Sequence, residues 1–194
     1  MTKERLWHTL RIMLIRSAVG RADYCRKHKL FHHVGERVLI QSRNLPLYSE
    51  LISLHNNVRL ASRVHFITHD VVHMMLNDPS FGGKEKFRER VGCIEIMDNV
   101  FIGAGTTIMY NVRIGSNVIV GAESVVTKDL EPTAVYAGAP ARKICSMEEF
   151  LEKQRKMKGY PAQLYPRGQK VSKELTDFMW EQFEVERKNN YKYR

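Results

Sequence analysis

Residues 96–131 read IMDNVFIGAGTTIMYNVRIGSNVIVGAESVVTKDLE. Every sixth position from Ile96 to Val126 holds Ile or Val, and the fifth position of most blocks is small or β-branched. A period of six matches neither the 3.6-residue period of an α-helix nor the two-residue period of an ordinary strand. It is typical of a coil of short strands and tight corners, in which one aliphatic residue per face points inward. The stretch therefore predicts a parallel β-helix.

The same period occurs in weaker form before this stretch. Its positions hold Ile or Val with one proline among them: Val34, Ile40, Pro46, Ile52, Val58 and Val64. The interval from Val64 to Ile96 is not a multiple of six, so a non-repetitive segment is inserted there. Long loops inside a regular repeat usually serve a site. We expect a β-helix over residues 34–145 with an inserted loop at 70–95.

The corners of the coil are predicted where Gly and Asn recur. Asn99, Asn111 and Asn117 stand near the ends of their blocks, and Gly follows the aliphatic residue in three blocks. Both residue types tolerate the backbone dihedrals that a tight corner requires. The stacked coils then bury the aliphatic ladders.

Helical segments are predicted on both sides of the repeat, at 1–33 and 146–194. In the first, Leu6, Leu10 and Leu14 fall on one face of a helix from residue 2 to about 29, with Arg residues elsewhere. Two interpretations stay open: a helix packed on the coil, or a basic amphipathic helix that makes peripheral contact with an anionic membrane.

The second segment begins with a helix over 146–158. Ser146 is its N-cap and Glu149 follows three residues later, which is the capping-box pattern. Another helix is expected from Ser172, with Leu175, Phe178 and Met179 on one face. Because an open coil end exposes unpaired strand edges, we expect some terminal cover.

Composition narrows the function classes. The 194 residues are 43% hydrophobic and carry a net charge of +10, which favours an anionic partner such as a membrane surface or a phosphorylated small molecule. Nucleic acid is not expected, because no helix-turn-helix, zinc-finger or aromatic-basic signature occurs. Three widely spaced cysteines disfavour a disulfide framework and predict a reducing cytoplasm. Charges interrupt the apolar runs, so neither a signal peptide nor a membrane-spanning helix is expected.

Three motifs together carry a family resemblance: the hexapeptide blocks, Thr68-His69-Asp70, and GAESVVTKDLEPTAVYAGAPARKI at 121–144. They resemble the hexapeptide-repeat acyltransferases, in the branch of sugar and polysaccharide O-acetyltransferases and xenobiotic acetyltransferases. The resemblance covers about residues 34–145. It implies an all-β core wound as a left-handed parallel β-helix, acetyl-CoA as co-substrate, and a homotrimer whose active sites lie between subunits.

The resemblance also implies site residues. His69 matches the family's catalytic base, and a histidine suits the task of taking a proton from a sugar hydroxyl as it attacks a thioester. Either Asp70 or a backbone carbonyl is expected to orient its ring. Backbone groups at Ala104, Gly121 and Ala122 are implied along the pantetheine arm of CoA. Lys128 and Arg142 match positions that meet the CoA phosphates, which are multiply anionic.

Other functions remain as alternatives. His65, His69 and His73 stand four apart, but coil faces repeat by six, so we expect no metal site from them. The runner-up enzyme is a xenobiotic acetyltransferase that inactivates an antibiotic hydroxyl. From other classes come a zinc carbonic-anhydrase-like β-helix and a non-catalytic scaffold. The leading prediction is an O-acetyltransferase acting on a carbohydrate acceptor.

Overall fold

The computed structural model describes residues 3–81, 86–157, 159–166 and 170–191. The chain divides into two units, Met1–Leu151 and Glu152–Arg194. The helices are α1 (Lys3–Leu14), α2 (Ala18–Lys27), α3 (Val72–Leu76), α4 (Met147–Lys156) and α5 (Lys173–Tyr191). The strands are β1 (His33–Val34), β2 (Leu39–Ile40), β3 (Ile52–Leu54), β4 (Arg59–Leu60), β5 (His65–Ile67), β6 (His69–Asp70), β7 (Arg90–Val91), β8 (Ile94–Ile96), β9 (Val100–Ile102), β10 (Thr107–Met109), β11 (Val112–Ile114), β12 (Val118–Val120), β13 (Val125–Val126), β14 (Ala134–Ala137) and β15 (Arg142–Ser146).

Successive strands of the first unit join three different sheets in turn. The first sheet has the order β1-β3-β8-β11, the second β15-β14-β12-β9-β4-β2, and the third β13-β10-β5. Within these sheets the neighbours run parallel, except that β15 is antiparallel to β14. The successive coils therefore stack their short strands on three faces, which confirms the predicted parallel β-helix.

The core of the coil is the aliphatic ladder. Its members Ile52, Ile96, Ile102, Ile108 and Ile114 are all 0% exposed. The fifth block positions also point inward, and two of them are hydroxyl residues, Thr106 and Ser124. Both hydroxyls donate to the carbonyl of Gly121, at 3.1 and 2.7 Å. Both buried hydroxyls are therefore paired, as expected because a buried hydroxyl without a hydrogen bond is costly.

The corners use Asn and Gly for different reasons. Asn99, Asn111 and Asn117 have φ of 58°, 57° and 59°, so the prediction that they take the left-handed corner dihedrals is confirmed. Gly103 differs, because it has no such φ. A Cβ there would lie 2.4 Å from the nitrogen of Ala122 in the next coil. Glycine is needed at this corner for space rather than for its dihedral freedom.

The N-terminal end of the coil is covered by α2, which packs on β1 and β2. The predicted continuous helix from residue 2 to 29 is wrong, since it breaks between α1 and α2. Ser17 caps α2 and its hydroxyl accepts from the amide of Gly20 at 3.1 Å. Ala22 is 0% exposed, and the buried Arg21 donates to the carbonyl of Ile40 at the end of β2. The expected cover for an open strand edge is therefore present here.

The leucine face of α1 is not the face that packs on the protein. Leu6, Leu10 and Leu14 are 44%, 48% and 75% exposed, whereas Ile12, on another side of the helix, is 2% exposed. The leucine spacing identified an apolar face correctly, but a different face of α1 lies against the protein. Among the described residues, no helix is long and apolar enough to cross a membrane.

The predicted C-terminal helices are present as α4 and α5. The amide of Ser146 donates to Glu149 at 2.7 Å, and the amide of Glu149 donates to the Ser146 hydroxyl at 3.1 Å, which confirms the capping box. Ser172 caps α5 by accepting from the amide of Leu175 at 3.1 Å. The other coil end is flanked by β15, which pairs with β14.

Candidate active site

His69 lies at the corner where the third sheet ends and the inserted segment begins. It belongs to β6, which pairs antiparallel with β7 near the other end of the insert. The register sets His69 opposite Val91 and Asp70 opposite Arg90. Thr68, just before them, is buried, and its hydroxyl donates to the carbonyl of Leu47 at 2.8 Å. The β6–β7 pairing and the Thr68 hydrogen bond therefore fix this corner, although the insert itself lacks the six-residue repeat.

The imidazole of His69 packs against Tyr48. The two rings meet edge to face with centroids 4.9 Å apart, and the Tyr48 hydroxyl donates to Glu89 at 3.3 Å. Nδ1 of His69 is buried and has no hydrogen-bond partner among the described residues. The ring is thus positioned by an aromatic contact, and Nε2 is the nitrogen that a substrate molecule can approach.

Asp70 makes other contacts. Its Oδ2 accepts from the hydroxyl of Tyr110 at 2.8 Å, and its Oδ1 accepts from the amide of Val72 at 3.2 Å. The Tyr110 hydrogen bond is the main reason that the pKa of Asp70 lies below its ordinary value, and the charge of Arg90 acts in the same direction. Of the two expected orienting groups, neither Asp70 nor a described backbone carbonyl bonds Nδ1 of His69. Asp70 instead ties the insert to the next coil.

Lys128 lies along the same edge of the coil as His69. The register pairs Ile67 with Met109 and Ile108 with Val126, so Thr68, Tyr110 and Lys128 follow the third sheet in one row, and His69 comes directly after Thr68. Adjacent strands are about 4.8 Å apart, so Lys128 is about 10 Å along the coil axis from His69. Tyr110 lies between Thr68 and Lys128 in that row.

Lys128 and Arg142 share one surface cleft. It has a volume of about 670 Å³ and is also lined by Lys143, Asp129 and Glu131. Both predicted cations are exposed at its wall. The structure therefore brings together the two residues that were matched to the CoA phosphates.

The three predicted backbone positions lie on another edge. Ala104 follows β9, and Gly121 and Ala122 follow β12, so all three are at corners between the second and third sheets. The carbonyl of Ala104 accepts from Glu123 at 2.8 Å and that of Gly121 accepts from two hydroxyls. The third sheet thus separates these positions from the edge of the coil where His69 and Lys128 lie.

The three histidines spaced by four residues occupy different elements. His65 is exposed on β5, His69 is in β6, and His73 is in α3. Within the described part of the chain, no group of three or more His, Cys, Asp or Glu side chains could hold a metal ion.

Sequence reasoning missed three residues at this site. Tyr48 and Glu89 are 21 and 20 residues from His69 and carry no motif. Tyr110 is within the repeat, but the insert is not a multiple of six long, which hides its register against His69. Tyr48 does have one structural sign of a special position, a left-handed backbone with φ 52°.

The repeat is similar in sequence to that of known acetyltransferases. The family profile "Bacterial transferase hexapeptide (six repeats)" matches residues 94–128. A candidate acetyltransferase of Schizosaccharomyces pombe is 32% identical over 116 residues, 60% of this chain and 53% of that protein. A chloramphenicol acetyltransferase of Klebsiella aerogenes is 36% identical over 70 residues, 36% of this chain and 33% of that protein. The matches thus span about half and a third of these relatives' lengths.

Two solved structures are similar over a larger share of the chain. A maltose O-acetyltransferase from Clostridium difficile 630 is 28% identical, with a TM-score of 0.55 over 74% of this chain and 86% of that chain. A hexapeptide-repeat acetyltransferase from Vibrio cholerae, solved with acetyl coenzyme A, is 22% identical and has the same fold, with a TM-score of 0.56 over 74% and 85%. The predicted left-handed parallel β-helix with terminal helices is confirmed. Residues 94–128 therefore belong to the hexapeptide-repeat family of bacterial transferases, and the chain is similar to solved hexapeptide-repeat acetyltransferases.

Proposed function

We propose that this protein is an acetyl-CoA-dependent O-acetyltransferase that acts on a hydroxyl of a sugar or polysaccharide precursor. One observation carries the proposal: His69, with Nδ1 buried, lies on the same coil edge as Lys128 and its cationic cleft. A base and an anion-binding cleft on one edge suit a reaction between a hydroxyl and a phosphorylated thioester. The maltose O-acetyltransferase likeness supports the sugar acceptor.

The proposed reaction needs no acyl-enzyme. Nε2 of His69 takes the proton of the acceptor hydroxyl while its oxygen attacks the thioester carbonyl carbon. The tetrahedral intermediate collapses, the carbon–sulfur bond breaks, and the imidazolium returns the proton to the CoA sulfur. A positioned base of this kind contributes about 10²–10⁴-fold to the rate.

In the proposed complex CoA lies along the coil. Lys128 and Arg142 pair with its phosphates, and Arg offers a planar pair of donors that suits them. Backbone groups at Ala104, Gly121 and Ala122 lie on another edge of the coil, so in the proposed complex they contact the pantetheine arm from the adjacent subunit. The acetyl group is then carried towards His69, about two strand spacings from Lys128.

We also propose that the active enzyme is a homotrimer in which a neighbouring subunit completes each site. The insert near His69 exposes several apolar side chains, and a single chain leaves them uncovered: Val71, Val72, Met74, Met75 and Phe81 are 51–66% exposed. A neighbour placed against the insert would bury them beside His69.

A xenobiotic acetyltransferase is the second candidate, favoured by the likeness to the chloramphenicol acetyltransferase and by the same apolar insert. The two are distinguished by thiol release from acetyl-CoA with sugars, nucleotide-sugars and antibiotics as acceptors. Release driven by a saccharide supports the proposal, and release driven only by an antibiotic supports the second candidate. Failure to bind CoA contradicts both and favours a scaffold, and bound zinc with CO₂ hydration favours the hydratase.

A further inference from the structure

Helix α1 is apolar on the face that it turns away from the protein. The five residues of this face, called here the α1 outer face, fall at helical spacing and are all well exposed: Leu14 75%, Trp7 59%, Leu10 48%, Met13 47% and Leu6 44%. A surface helix normally has polar residues on this side. Contiguous apolar exposure of this kind marks a place where another surface docks.

The opposite side of α1 is fixed to the first unit. Ile12 is 2% exposed, Arg5 donates to the carbonyl of Leu45 at 3.0 Å, and Nδ1 of His8 lies 2.9 Å from the Tyr24 hydroxyl. The helix therefore already has a packed inner face. The exposure of the outer face follows from how α1 is anchored.

Basic side chains border the α1 outer face. Lys3 lies at its N-terminal end, and the guanidinium of Arg11 is 5.7 Å from the Trp7 ring centroid. At the other end, Arg43 donates to the carbonyl of Met13 at 2.8 Å, and Arg16 follows the helix. The one acidic residue of α1, Glu4, points to His8 instead, at 3.9 Å. Apolar side chains with Trp and a basic border are the features of a helix that lies in a membrane interface.

We infer that the α1 outer face docks on an anionic lipid surface. A second copy of this chain is a poorer occupant, because each chain carries a net charge of +10 and pairing would bring the Arg borders together. Anionic headgroups instead complement Arg11, Arg16 and Arg43, while the leucines and Trp7 enter the acyl boundary.

Docking also places the candidate active site near the lipid. Arg5 of α1 donates to the carbonyl of Leu45, the carbonyl of Leu47 two residues later accepts from Thr68, and Tyr48 packs on His69. One short segment thus joins the membrane-facing helix to the corner that carries His69. Membrane docking of α1 does not depend on acetyl transfer. It is tested through the fluorescence of Trp7 and through vesicle binding, and neither measurement requires enzymatic turnover.

The chain offers a matched pair of probes, since its two tryptophans are equally exposed, Trp7 at 59% and Trp180 at 61%. In the full chain, Trp180→Phe leaves Trp7 as the only reporter, and Trp7→Phe leaves Trp180. Fluorescence and acrylamide quenching are measured with phosphatidylcholine vesicles, with and without phosphatidylglycerol. We expect a blue shift and protection from quenching for Trp7 only, and only with phosphatidylglycerol.

Salt and charge provide the second readout. Sedimentation with the phosphatidylglycerol vesicles should weaken at high salt, because the Debye length falls from about 10 Å at 0.1 M to about 3 Å at 1 M. Arg11→Glu and Leu10→Gln should each weaken binding by about tenfold or more, whereas Lys153→Glu on α4 should leave it nearly unchanged.

Three results would overturn the inference. Trp7 that stays accessible to acrylamide at saturating phosphatidylglycerol excludes docking by this face. Trp7 that is already protected without vesicles, increasingly with protein concentration, assigns the face to a second copy. Equal protection of Trp7 and Trp180 means that binding does not select α1.

Discussion

The perturbation of Arg21 tests how the first coil is closed. Arg21 is 4% exposed, and its guanidinium donates four hydrogen bonds, all to backbone carbonyls: Ile15 at 2.6 Å, Ile40 at 2.8 Å, Gln41 at 3.1 Å and Arg16 at 3.2 Å. Two of these carbonyls belong to the end of β2 and its following residue, and two to the turn between α1 and α2. One side chain therefore joins the helical cover to the open strand edge.

Replacing Arg21 by Met removes all four donors and leaves the carbonyls behind. A hydrogen bond from a charged donor contributes about 1.5–3 kcal/mol, and a buried acceptor without a partner costs about 1–3 kcal/mol. Water can reach some of the freed carbonyls, so the losses do not add fully. We expect the free energy of unfolding to fall by about 3–5 kcal/mol, which is less than the sum over four such hydrogen bonds. Arg21→Lys, which keeps the charge but fewer donors, should lose roughly half of that.

The assay is urea unfolding followed by far-UV circular dichroism, with the midpoint and slope compared between variants. Lys27→Met is the matched control, because Lys27 is exposed on the same helix and should change the free energy by less than about 0.5 kcal/mol. An Arg21→Met protein within about 1 kcal/mol of the wild type would refute the reasoning. It would mean that apolar packing of α2 alone closes the coil.

Three other predictions concern the site and the cysteines. Tyr110→Phe removes the hydrogen bond that ties Asp70 to the next coil and is the main cause of its lowered pKa, so turnover should fall about threefold to tenfold. This bond stabilises the fold at neutral pH. The difference in unfolding free energy between variant and wild type should therefore vanish as the pH falls through the Asp70 pKa. Lys128→Ala and Arg142→Ala should each raise KM for acetyl-CoA about tenfold with kcat nearly unchanged, while Lys153→Ala leaves both constant, and a loss in kcat alone would contradict phosphate pairing. Burial raises the pKa of Cys25 to about 12, so a disulfide reagent should label exposed Cys93 quickly and Cys25 only on unfolding; immediate labelling of all three cysteines would contradict this.

The repeat was predictable because each coil repeats the same physical requirement. An inward aliphatic residue is needed once per face, and Ile96, Ile102 and Ile108 meet that requirement at a fixed spacing. The corner Asn residues and the Ser146 capping box are local features too, so short stretches of sequence define them. The position of His69 followed from a family motif.

The rest depended on contacts distant in sequence. The break between α1 and α2 comes from Ser17 capping and from Arg21 reaching β2, neither of which alters the apolar periodicity. Tyr48 meets His69 only because the segment after β2 returns across the coil. Tertiary contacts decide whether α1 packs by its leucine face or by Ile12. The 3.6-residue period of the sequence does not specify those contacts.

The most direct test of the proposed function compares His69→Ala with His65→Ala and His73→Ala in acetyl-CoA turnover with an accepted saccharide. If His69 is the base, its variant should lose about hundredfold or more in kcat while still binding CoA, and the other two should stay within about threefold of the wild type. An equal loss in all three would point to a shared metal, and activity retained in His69→Ala would contradict the account.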